Sequence, residues 1–143
     1  MNKDTIELLN ECDAGTKTAV SSIKEVLDNV KSEELLQLLS ESLEKHQKLG
    51  DELHEMLNAM REPGKEPAPM AKAMSWLKIN FKMVTAPDDT TIASLILDGC
   101  NMGVKQLNEY LNSYSQADEK ARSLARRIIH LEESLGDGMK PYL

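Results

Sequence analysis

A nine-residue segment occurs twice in this chain, and the repeat limits what the chain can fold into. Residues 9–17 read LNECDAGTK and residues 97–105 read LDGCNMGVK. Leu9, Cys12, Gly15 and Lys17 recur as Leu97, Cys100, Gly103 and Lys105, each 88 positions later. Both copies lie in stretches of helical periodicity, so the repeat predicts two related helical hairpins. The chain has 143 residues, enough for one ordinary domain with a real core. Aromatic residues are only 3%, so the core has to be built from Leu, Ile, Val, Met and Ala. That suits helix packing better than a small sheet sandwich.

Apolar spacing fills in the hairpins. Residues 4–30 read as helix 1, with Ile6, Leu9, Thr16, Val20, Ile23, Leu27 and Val30 on one stripe. Asp4 and Glu7 suggest a capping box. Gly15 lowers helix propensity, which a close helix contact would explain. Ser32 can cap helix 2, residues 32–61, whose stripe runs through Leu35, Leu39, Leu43, Leu49, Leu53, Met56 and Met60 and takes in His46. Pro63–Gly64 and Pro67–Ala68–Pro69 break the pattern. Residues 70–84, MAKAMSWLKINFKMV, hold most of the aromatic area and read as a short amphipathic helix over the bundle, or as a partner-binding face. Helix 3 is expected over 88–112, with Gly99 and Gly103 admitting close packing. Helix 4 is expected over 115–136, started by Ser115 or Gln116 and stopped near Gly136. Its stripe is Ala121, Leu124, Ile128, Leu131 and Leu135. The expected fold is all-α: one ferritin-like antiparallel four-helix bundle spanning 1–143, with a long helix 2 to helix 3 crossover.

Charge and hydropathy exclude several roles. The net charge of -7 argues against nucleic acid, whose phosphates call for a basic surface. The run ADEKARSLARR mixes both signs and reads as a wet helix face. No window reaches the length of a membrane span, and MNKDTIELLNEC carries charges where a signal peptide needs an apolar run. The cytoplasm is the simplest location. Two cysteines are too few for a disulfide scaffold and form no CxxC, so thiols are the expected state. No nucleophilic triad and no phosphate-binding glycine loop can be read.

Four residues could still make a site. Cys12 and Cys100 hold matching places in the repeats, and His46 and His130 lie 84 residues apart on the second helix of each hairpin. Two thiolates and two imidazoles are suitable zinc ligands if the repeats bring them together. The alternatives are satisfied core thiols, a Cys12–Cys100 disulfide, a hydrogen-bonded core His46 and a boundary His130 beside acidic neighbours. His54 can pair with Asp51. Glu11, Glu25, Glu44, Asp98 and Glu133 are carboxylates that could complete a shifted metal site, although one helical position rotates a ligand by roughly 100°.

The two-hairpin pattern, the repeated cysteine-bearing segments and His130 on the last helix resemble a small bacterial ferritin-like family of uncharacterised function, within the ferritin and rubrerythrin superfamily. The resemblance covers residues 4–136. It implies a bundle whose di-iron site takes a glutamate from two helices and a Glu-x-x-His pair from the other two. The corresponding places here hold Thr16 on helix 1, Val104 on helix 3, Leu43 with His46, and Arg127 with His130. Both histidines fit, and all four carboxylate places carry other residue types. The resemblance therefore implies a degenerate bundle without standard ferroxidase activity, with a binding, structural or regulatory role and a homodimeric assembly. The alternative is a metal-binding or oxidoreductase protein with a displaced carboxylate–histidine site holding iron or manganese, or zinc on Cys and His.

Overall fold

Four side chains start the four helices. Asn2 accepts from the Thr5 amide at the start of α1 (Lys3–Leu27), and Ser32 from Leu35 at the start of α2 (Glu33–Ala59). Asp88 accepts from Thr91 for α3 (Asp89–Ser113), and Asp118 from Ala121 for α4 (Glu119–Met139). Each supplies an acceptor to an amide that has no partner within the helix. The computed structural model describes residues 2–60, 62 and 87–143. Among these the architecture is all-α, closed by a 3-10 turn at Lys140–Tyr142. The amphipathic helix expected at 70–84 lies outside the described residues. No described helix is long and apolar enough to cross a membrane.

Two caps differ from expectation, for one reason. Asp4 does not cap its own helix; its Oδ2 accepts the Gln116 amide at 2.9 Å. Thr5 Oγ1 accepts the Asp118 amide at 2.8 Å, and Asn2 Nδ2 donates to the Gln116 carbonyl at 2.7 Å. Residues 115–117 are thereby held as a turn, and α4 starts after Asp118, not at Ser115 or Gln116. The mirror arrangement closes the other end. Asp89, in the first turn of α3, accepts the Lys31 and Ser32 amides, both at 2.9 Å. The first turn of each hairpin thus holds the loop of the other. The same contact ends α1 before the expected residue 30.

α4 also runs past its expected stop. Gly136 and Gly138 stay helical, and neighbours approach both closely. A Cβ on Gly136 would lie 3.1 Å from Leu97 Cδ1, and one on Gly138 only 2.7 Å from Leu38 Cδ1. These glycines permit close packing and are not helix terminators. Gly15 and Gly99 show the reverse. A Cβ on either would meet nothing within 4 Å, so the close helix contact expected at Gly15 and Gly99 is not there.

Packing places α1 beside α2 and α3, and α4 beside α2 and α3. One apolar cluster joins Leu8 and Leu9 of α1, Leu53 and Leu57 of α2, Leu111 of α3 and Ala121 of α4. A second joins Ile23 and Val26, Leu35 and Leu39, Ile92, and Met139. The first gathers the start of α1 with the end of α2, and the end of α3 with the start of α4. Adjacent helices are therefore antiparallel, while α2 and α3 run parallel across the diagonal. α2 ends where α3 does not begin, which is the long-crossover, ferritin-like order.

Candidate functional site: a polar layer and a cavity at mid-bundle

The buried stripe of α2 runs Leu35, Leu39, Ser42, His46, Leu49, Leu53, Leu57, with two polar residues at its centre. That of α4 includes Ala121, Ala125, Ile128, Glu132, Leu135 and Met139, with one. The alternating steps of four and three put both polar centres between the two apolar clusters. There His46 Nε2 meets Glu132 Oε1 at 2.6 Å, across 86 positions of sequence. His46 is fully buried and Glu132 is 7% exposed.

The imidazole has acceptors on both sides. Nδ1 donates to the Ser42 carbonyl at 2.8 Å, with the Ser42 hydroxyl 3.3 Å away. A neutral ring offers one N–H and an imidazolium two, so two acceptors select the charged form. Burial alone pushes the His46 pKa down; the hydrogen bond and charge of Glu132 and the Ser42 carbonyl outweigh it, and the net shift is upward.

Beside this pair a cavity of about 90 Å³ opens between α1 and α3. Its walls are mostly apolar, including Ile23, Leu95, Ile96, Leu107 and Ile128, and Gly15, Gly99 and Gly103 leave them thin. Glu11, Glu132, Cys12, Cys100 and Tyr110 line it as well. Burial, then the charges of Glu11 and Asp13, push the Cys12 thiol up to about 12. Burial, then the charge of Glu132 and a hydrogen bond to it, push Cys100 up. Burial and Glu11, through its charge and a hydrogen bond, push the Tyr110 phenol up to about 12. Burial and the neighbouring carboxylates hold both thiols protonated at neutral pH, so neither is a thiolate nucleophile as it stands.

The four residues named as a metal set do not share one place. Cys12 and Cys100 both line the cavity, and both are free. His46 is bound to Glu132. His130 lies on the outer face, its side chain 85% exposed and 4.0 Å from Glu133. Among the described residues no group of three His, Cys, Asp or Glu side chains could hold a metal ion. Of the carboxylates considered for a shifted site, Glu11 lines the cavity, Glu25 is half-buried, and Glu44, Asp98 and Glu133 are exposed. His54 pairs with the buried Asp13 at 3.0 Å instead of with Asp51.

The places where the resemblance puts iron ligands do not fit a di-iron centre. Thr16 is buried with its hydroxyl unbonded, and its methyl lies near Gly50 of α2. Leu43 and Val104 pack against the apolar clusters. Arg127 turns outward to a bidentate pair with Glu52 at 2.9 and 2.7 Å. None of the four can donate a carboxylate.

Glu132 was missed by the sequence reading. The α4 stripe drawn through Leu131 turns the neighbouring Glu132 off the core, whereas Leu131 is only half-buried. The available signal was the matching register. Leu35, Leu39, His46 and Leu49 have their counterparts 86 residues later in Ala121, Ala125, Glu132 and Leu135. In that register His46 corresponds to Glu132, not to His130.

The fold has solved counterparts. A DUF305 fragment from Deinococcus radiodurans superposes with a TM-score of 0.76 at 13% identity, covering 98% of this chain and 95% of that one. Dps92 from the same organism superposes with a TM-score of 0.70 at 15% identity, covering 99% and 88%. At these identities the likeness is one of fold, a four-helix bundle. Neither a family model nor a curated protein sequence matches the chain.

Proposed function

We propose that this chain is a ferritin-like bundle whose centre serves binding and structure, not ferroxidase chemistry. The carrying observation is the buried pair itself: His46 and Glu132 satisfy each other at mid-bundle, 2.6 Å apart. Carboxylates are absent at the four family positions, and the cavity beside the pair is preformed and mostly apolar, as small-molecule sites generally are. The same reading includes membership of the small bacterial ferritin-like family, a cytoplasmic location and a homodimer.

The test is elemental analysis of untagged protein purified without added metal or chelator, followed by a ferrous oxidation assay after reloading. The reading expects no stoichiometric iron, manganese or zinc and no acceleration of oxidation. Two tightly held irons per chain with rapid oxidation would overturn it in favour of a displaced carboxylate–histidine site. Stoichiometric zinc that is lost in Cys12→Ser would overturn it in favour of the cysteine–histidine set. Sedimentation equilibrium tests the dimer.

A further inference from the structure

We propose that the α1–α3 cavity binds a small apolar molecule carrying a protonated amine, with the ammonium against Glu11 and Glu132 and the hydrocarbon along the glycine-thinned wall. This rests on the binding reading above and adds the class of ligand.

The polar edge of the cavity carries two carboxylates. Glu11 and Glu132 are each only 7% exposed, and both line it. Gln106 lines it too, and its Oε1 is buried without a hydrogen-bond partner. Glu132 gives one oxygen to His46, and the other lies 3.7 Å from where a Cβ on Gly103 would be. Glu132 is thereby neutralised by the imidazolium, so Glu11 supplies the charge and Glu132 a second acceptor. Tyr110 and Cys100 line the same wall, and Glu11 and Glu132 respectively raise the pKa of each, so the wall's donors already sit near these carboxylates. The complement of such an edge is a cationic donor. An anionic amphiphile, such as a fatty acid, would set its carboxylate against Glu11.

The rest of the cavity asks for hydrocarbon. A water needs roughly 10–15 Å³ of such space, so a volume of about 90 Å³ takes a molecule of roughly six to nine non-hydrogen atoms. Gly15 and Gly99 border it, and a Cβ on either meets nothing within 4 Å. A Cβ there has open space, so these are the positions at which a larger side chain would compete with a ligand for the cavity.

The experiment titrates the full-length chain at pH 7 with n-hexylamine, 1-hexanol and hexanoate, read by calorimetry and by amide chemical shifts. The amine is expected to bind tightest and hexanoate weakest. Removing the charge with Glu11→Gln should weaken the amine by about tenfold, equivalent to one charge-assisted hydrogen bond, and leave hexanol nearly unchanged. Gly99→Leu should abolish binding of both, and Gly15→Leu repeats that test if Gly99→Leu does not fold. Hexanol binding as tightly as the amine, or an amine affinity untouched by Glu11→Gln, overturns the ligand class while leaving a binding cavity. Shifts confined to residues that do not line the cavity overturn the site. Failure of all three probes to bind overturns both this inference and the binding reading.

Discussion

His46 and Glu132 hold equivalent positions in the two hairpins and form an ion pair with each other, Nε2 to Oε1 at 2.6 Å. Equivalent positions around a pseudo-twofold axis usually meet, and identical residues there would be two imidazoles or two carboxylates. This chain has complementary ones. A buried pair with hydrogen bonds on both partners is strongly destabilised by losing one member and little affected by losing both. Urea unfolding should therefore show His46→Leu and Glu132→Leu each costing about 3–5 kcal/mol, with the double variant near wild type. Additive losses in the double variant would show that the pair is not coupled.

The raised His46 pKa makes the pair sensitive to alkali. A group whose pKa is higher folded than unfolded binds its proton more tightly in the native state. Its stabilisation is complete below the unfolded value, about 6.5 for histidine. It is lost as pH rises through the folded value. Unfolding free energy of the wild type relative to His46→Leu with Glu132→Leu should fall across that alkaline window and hold steady just below it. A difference that grows with pH would contradict an imidazolium at this site, and ring nitrogen shifts at pH 7 would report the protonation directly.

The glycines fall into two kinds with different expected responses. Gly99→Ala adds a methyl into open space on a helix and should raise stability by about 0.5–1 kcal/mol, through helix propensity. Gly138→Ala places its Cβ 2.7 Å from Leu38 Cδ1 and 3.1 Å from Leu38 Cδ2, so the end of the Leu38 side chain has to move. It should be clearly less stable than Gly99→Ala. Thermal melts of the two variants give the ranking, and the reverse order would mean that the α4–α2 contact is loose.

Both thiols should be slow to react. Cys12 is fully buried and Cys100 is 3% exposed, and both are held protonated. Modification by an aromatic disulfide at pH 8 should be slower than in urea-unfolded protein by several orders of magnitude, following the opening equilibrium. A native-state rate near the unfolded one would place a thiol at the surface.

Much of the helix pattern was legible because burial of Leu, Ile and Val repeats at three and four residues. The repeat puts Cys12 and Cys100 at matching places, and in the structure both line one cavity. Glu132 escaped because Leu131 beside it is also apolar, and a one-residue shift turns the stripe through a quarter of a circle. His130 was the easier choice by sequence because it is a histidine at the place where the family resemblance puts one, although Glu132 lies nearer the repeat offset of 88. The ends of α1 and α4 were illegible for another reason. Asp4, Thr5 and Asp89 act on amides more than fifty positions away, and no local propensity encodes that.

Those distant contacts also govern how the molecule can come apart. Asp89 holds the loop at Lys31 and Ser32, while Asp4 and Thr5 hold the loop at Gln116 and Asp118. Each loop loses its partners as soon as the other hairpin leaves. Opening of either hairpin thus strips the other's loop amides of their acceptors, which ties the two halves into one cooperative unit.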